Sequence, residues 1–281
     1  MSKITVEHST RFGYSAPVLL PPHTFRVHPR TTIGQHLISY RLDVNPEPAR
    51  MAGWLDLDGN QVVSVWFAAP VSQFELQTRF AVQVASPESP SVPQTGQPHA
   101  LPMSYRRPVT AALAPYRIQD NIGPAVRAFS AALIGNGVGH AASFLDALNR
   151  EVFQSCRHIR PHEGPPWHSD LTLHLREGSA SDLAMLFCDA CRAMGIAARY
   201  VSGYDCSMPH KADDAMRAWA EAYLPESGWR GYDPSRGVAV NSTYIAVAAA
   251  AELELAVSVD GLYCGAPPTV RQERLRIKLG A

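Results

Sequence analysis

The chain has 281 residues, 46% of them apolar, and its 25 basic side chains balance 25 acidic ones. That length and apolar content suffice for a core in each of two domains or for one large core. A zero net charge excludes the long-range field that draws a protein to nucleic acid, anionic lipid or a polyanionic substrate, so a small molecule or another protein is the expected partner.

The stretch from Met1 to His8 has no apolar segment of the signal type, and no run of about 18 apolar residues follows it. A cytoplasmic protein without a membrane partner is expected. Five cysteines (Cys156, Cys188, Cys191, Cys206 and Cys264) are an odd number spread along a long chain, which argues against a disulfide framework. Cys188 and Cys191 have a redox or zinc spacing, but they fall within an apolar helical pattern and no second pair stands at a zinc-like interval, so both read as packing residues.

In chain order, Ile4 to Phe12 and Gln35 to Val44 alternate polar with apolar, as half-buried strands do. Asp58-Gly59-Asn60 is a hairpin signal between Gly53–Leu57 and Gln61–Phe67, and Gln73 to Ala85 is a further strand. Short strands at regular spacing predict an antiparallel β-sandwich over residues 1–107. His23 and His28 lie near its start and lack partners at metal spacing, so they read as loop or edge residues. Ser86 to Pro98 is rich in proline and serine and reads as a linker.

Helical signals open the second unit, residues 108–281. A proline sits in the first turn of Gly123–Leu133, a second helix runs from Ala141 to Ser155 after the breaker 135–139, and the loop Cys156–Asp170 carries His158, His162 and His168. Nothing in the histidine spacing forces convergence on a metal, and no metal or other cofactor is expected. From Ser181, the residues Leu183, Leu186, Phe187, Ala190, Cys191 and Met194 mark a buried helix face, with Gly195 as C-cap. Strands follow at Ile196–Tyr204, Met216–Leu224 and Trp229–Asp233, with a polar loop at 205–215 and a turn at 226–228. The tail, 256–279, alternates again and is expected to rejoin a sheet.

Two segments carry the most specific pattern: Gly178-Ser179-Ala180-Ser181-Asp182 opening a helix, and Arg217-Ala218-Trp219 followed by Asp233-Pro234. They resemble the core of the bacterial transglutaminase-like, papain-like cysteine amidase and protease family. The resemblance implies an α+β fold, an N-terminal antiparallel β-sandwich followed by helices packed on an antiparallel sheet. It puts the family nucleophile on Ala180, the family base on Arg217 and the orienting carboxylate on Asp233. Trp219, Glu221, Tyr223, Trp229 and Gly231 match the flanking strands. His23 to Arg30 matches a segment of the family's leading domain.

The start of a helix lowers a thiol's pKa and offers oxyanion donors, yet alanine supplies no nucleophile there. A guanidinium stays protonated near neutral pH and cannot act as the base. It can form a bidentate pair with Asp233 or receive a carboxylate or phosphate. Ser181 lies about 100° round the helix from position 180, and a serine without a histidine is a poor nucleophile. Cys206 lacks a matched base and reads as a free loop thiol.

The leading expectation is therefore a silent pseudoenzyme that uses Ser179, Ser181, Arg217 and Trp219 to bind a peptide-like or carboxylate-bearing ligand. An ATP-grasp-type ligase in amide or peptide metabolism is the partner the resemblance suggests. The alternative is a cysteine amidase, protease or acyl transferase, either with its nucleophile replaced by design at Ala180 or with an altered mechanism.

Overall fold

The structure, a computed structural model, describes residues 2–32, 35–85, 99–135, 139–162, 165–207, 216–225, 227–261 and 268–280. The expected linker 86–98, most of the polar loop 205–215, Cys264 and parts of the breaker and turn signals at 135–139 and 226–228 lie outside the described residues. Six strands come first: β1 (Ser2–Val18), β2 (His23–Phe25), β3 (Gln35–Asn45), β4 (Arg50–Leu55), β5 (Gln61–Trp66) and β6 (Val71–Val84). Helices α1 (Val109–Ala112), α2 (Pro124–Gly135) and α3 (Ala141–Ser155) follow, then β7 (Arg157–His158), α4 (Ser169–Leu175), β8 (Glu177–Gly178) and α5 (Ala180–Ala193). The remaining strands are β9 (Ala198–Asp205), β10 (Arg217–Leu224), β11 (Gly228–Asp233), β12 (Val238–Ala239), β13 (Tyr244–Ala250), β14 (Val259–Asp260) and β15 (Pro268–Gly280).

Alternation decides the first β-unit. In β1 Ile4, Val6, His8 and Thr10 point inward and are buried, the intervening residues being more exposed. Two antiparallel sheets result, ordered β15-β1-β6-β3 and β14-β2-β5-β4. Val18, Phe25, Val65, Phe74 and Leu76, drawn from both, form one apolar cluster. The tail rejoins a sheet, and that sheet is the first one: β15 pairs with β1 from Lys3↔Gly280 to Gly13↔Val270.

The second unit is an antiparallel sheet, β12-β11-β10-β9-β13, with α5 packed on β10 and β9 and surrounded by α2, α3 and α4. Helix α5 buries Leu183, Leu186, Phe187, Ala190 and Cys191, the face its periodicity predicts. Gly195 ends it at φ +74°, where any side chain would collide with the Met103 carbonyl. This is the mixed α+β class expected from the sequence.

Side chains from far along the chain join the two units. Asn60, at the β4–β5 turn, is fully buried and pairs with both the N–H and the C=O of Ala249 in β13, at 2.9 and 3.0 Å. The Tyr116 hydroxyl donates to Asp58 at 2.5 Å, and His8 of β1 meets the Tyr204 hydroxyl of β9 at 3.0 Å.

Candidate functional site

Local sequence builds the first half of the site. Ser179 is the N-cap of α5; its hydroxyl accepts from the Asp182 N–H, while the Ser179 N–H donates back to Asp182 at 2.7 Å. That capping box fixes the first turn of the helix. Asp182 is completely buried. It also accepts from the Trp167 N–H at 2.7 Å and stands 3.1 Å from His162, whose ring stacks on Trp167. The histidine-bearing loop is thereby tied to the helix start. Ala180 sits half-buried against a cluster that includes Ala184, Tyr200 and Ala218.

Register builds the second half. Ala220 pairs with Tyr232 in β10 and β11, so Arg217 comes to lie beside residue 235, just past the strand end. Its Nη2 donates to Ser235 Oγ at 3.0 Å and stands 3.7 Å from Asp233 Oδ2. Asp233, wholly buried, accepts from Ser235 Oγ at 2.6 Å, from Ser235 N–H at 3.0 Å and from the Tyr244 hydroxyl at 3.1 Å. Burial and the adjacent Asp233 carboxylate push the Tyr244 phenol up. The expected bidentate pair is corrected here: Arg217 and Asp233 interact at one long contact with Ser235 bridging, because the register places Arg217 opposite 235 rather than 233. Arg217 Nε is buried without a hydrogen-bond acceptor among the described residues.

Arg217 and Ser181 both open on a cleft of about 1470 Å³, which Tyr200 also lines. The Ser181 hydroxyl bonds to the Tyr200 hydroxyl at 3.0 Å, and burial pushes the Tyr200 phenol up to about 12. Of the four residues expected to bind a ligand, these two reach the cleft. Ser179 is buried and committed to its cap. Trp219 is 1% exposed, edge-on to Tyr244 and so close to Gly203 that a side chain there would collide with it; its indole N–H has no partner among the described residues.

His158 lies near the site although no motif position marks it. It pairs with Gly178 across β7 and β8, two residues before Ala180, and its imidazole is held below its ordinary range first by burial, then by the Arg217 cation. His168 instead caps α4. Cys206, expected as a loop thiol, is fully buried and burial pushes it up to about 12, so its reactivity is suppressed. Cys156, Cys188 and Cys191 are also buried free thiols. Among the described residues, no three His, Cys, Asp or Glu side chains are placed to hold a metal ion.

A helix packed on the antiparallel sheet whose strands carry Arg217 and Asp233 defines a papain-like α+β core. Residues 4–83 match the bacterial transglutaminase-like N-terminal region and residues 129–234 the transglutaminase-like superfamily, so the chain belongs to the bacterial transglutaminase-like family. An uncharacterized protein of Mycobacterium leprae is 26% identical over 94% of each chain, and one of Mycobacterium tuberculosis is 29% identical over 86% of this chain and 81% of its own. The crystal structure of a proposed cysteine protease from Cytophaga hutchinsonii superimposes with a TM-score of 0.72 at 16% identity, covering 99% of this chain and 90% of that one. That likeness concerns the fold alone.

Ser235, Tyr244 and Tyr200 were not singled out by sequence reasoning. Ser235 carried a faint signal, a small hydroxyl residue directly after Asp233-Pro234. The tyrosines carried none, since their roles depend on which strands become neighbours.

Proposed function

We propose that this protein is a catalytically silent transglutaminase-like protein whose cleft receives a peptide-like or carboxylate-bearing ligand at Arg217. One observation carries the reading: Arg217 lines the cleft with a quarter of its side chain exposed, and a methyl group stands at 180 where a thiol would attack. The exposed part of the Arg217 guanidinium can give a ligand carboxylate charge-assisted hydrogen bonds. Neither Ala180 nor Arg217 can supply the nucleophile or the base. The Asp233–Ser235 pair then serves to aim a cation. An ATP-grasp-type ligase in amide or peptide metabolism is the partner in this reading, and the cytoplasm its setting; among the described residues no helix is long and apolar enough to cross a membrane.

Isothermal titration with acetyl-dialanine and with its C-terminal amide tests the proposal. The acid should bind the native chain about tenfold or more tightly than the amide, a gap of ~1.4 kcal/mol, and Arg217→Gln should remove the difference. Equal affinities would overturn it. A second reading, an amidase or acyl transferase with altered mechanism, draws on His158, an imidazole within electrostatic reach of Arg217 and Asp233. Turnover of a peptide library by the native chain, lost in His158→Asn, would favour that reading over the silent one.

A further inference from the structure

Eight consecutive residues of β15, Arg271 to Lys278, line the same cleft as Ser181 and Arg217. Side chains of a strand alternate between faces, so residues of both parities meet a cavity together only where the strand's edge, rather than one of its faces, is turned toward it. The topology agrees. β15 pairs with β1 on one side and, among the described residues, ends the sheet on the other. Every second residue of such a strand directs its N–H and C=O away from its neighbour, which leaves a main-chain ladder along the cleft that no other described residue pairs with.

Charge specifies the occupant. The described residues lining the cleft include five cations, Arg217, Arg271, Arg274, Arg276 and Lys278, and one carboxylate, Glu273, in a chain whose net charge is zero. Glu273 is itself paired with Arg271 at 2.6 Å. Arg274, Arg276 and Lys278 share one face at two-residue spacing, and the β1 residues opposite them, Ser9, Glu7 and Thr5, supply a single carboxylate. Leu275 and Ile277 lie on the other face, packed on the core beneath β1. Like charges placed opposite each other oppose pairing, so this edge disfavours a second copy of itself and favours an acidic strand.

We infer that β15 is a docking edge for an extended acidic peptide, which adds to the sheet as a fifth strand and carries carboxylates on alternate residues facing Arg274, Arg276 and Lys278. The inference rests on the reading of this cleft as a ligand site and names the ligand's form. Eight extended residues span roughly 26 Å, and main-chain pairing supplies affinity while the alternating side chains supply selectivity.

The test uses the full chain and fluorescein-labelled, C-terminally amidated octapeptides, so that no terminal carboxylate engages Arg217. Fluorescence anisotropy should show binding of four Glu-Val repeats, and at least about tenfold weaker binding of four Lys-Val repeats. The Glu-Val peptide N-methylated at alternate amides, on the edge that would face β15, should also bind at least about tenfold more weakly. In the protein, Arg274→Glu combined with Lys278→Glu, whose β1 partners Ser9 and Thr5 carry no charge, should weaken the Glu-Val peptide about tenfold with an unchanged melting temperature. N-methylated and unmethylated peptides binding alike would overturn strand addition, as would indifference to peptide charge. Failure of the Glu-Val peptide while acetyl-dialanine still outbinds its amide would sink this inference and leave the Arg217 reading standing; failure of both probes would sink both.

Discussion

Asp182 and Asp233 are both wholly buried carboxylates at the two halves of the site, and they are satisfied in different ways. Asp182 takes main-chain N–H groups of Ser179 and Trp167, the Ser179 hydroxyl and His162, so it holds backbone in place. Asp233 takes side-chain hydroxyls of Ser235 and Tyr244 and one N–H, and faces the Arg217 cation at 3.7 Å. The helix start thus rests on two main-chain N–H groups that any sequence supplies as well as on side chains, whereas the strand end rests mainly on side chains that this sequence has chosen. A scaffold can keep the first while the chemistry carried by the second is exchanged.

Substitutions that separate the two carboxylates test that contrast. Asp182→Ala strands the buried Ser179 N–H and the partly buried Trp167 N–H at about 1–3 kcal/mol each and removes one half of the capping box, so urea denaturation should show a loss of roughly 4 kcal/mol. Adding His162→Ala should recover nothing, because the stranded donors belong to the backbone. Asp233→Ala leaves a largely buried cation uncompensated and should cost about 3 kcal/mol. Here a second change should help: Arg217→Met in the same chain should return at least ~1 kcal/mol, the coupling expected of side chains in direct contact. A double variant no more stable than Asp233→Ala would show that Arg217 is not what Asp233 holds.

The same contrast separates what the sequence displayed from what it concealed. The apolar face of α5 and the Ser179–Asp182 cap are set within a few residues, so spacing alone exposes them. Asp58-Gly59-Asn60 announces a turn, and strands β4 and β5 do meet there. That Asn60 then plugs the backbone of Ala249, 189 residues away, depends on how the units dock, and no local pattern carries that. The tail advertised a strand without naming its sheet, because alternation fixes a face and not a partner. Arg217 and Asp233 were legible as neighbours through the family resemblance. The intervening Ser235 was not, since it follows from strand register. His158 stood in a loop of histidines, and only the pairing of β7 with β8 distinguishes it from His168.

Ser235→Ala is a finer probe of the strand end. It removes one hydroxyl that donates to Asp233 and accepts from Arg217, so the expected loss is about 1 kcal/mol, visible as a shifted urea midpoint with an unchanged slope. The acid-over-amide preference for acetyl-dialanine should fall as well, since Arg217 loses its fixed direction. An unchanged preference would assign the aim of Arg217 to Asp233 alone.

The smallest effect expected is a pH dependence, and it too should differ between the units. His8 in β1 and His158 in β7 are both held below the ordinary imidazole value of 6.5, His8 chiefly by burial and His158 by burial and then Arg217. For each, the unfolded chain binds the proton first as pH falls, so stability is complete above about 6.5 and declines as pH drops through the lower folded value. Melting temperature should therefore fall between pH 7.5 and pH 5. His8 is 5% exposed and bonded to Tyr204, whereas His158 is exposed enough for solvent to screen it, so His8→Gln should flatten that fall more than His158→Asn. A larger flattening from His158→Asn would mean that the Arg217 cation, rather than desolvation, governs the acid response, and would shift the weight of the pH dependence from the β-unit to the site.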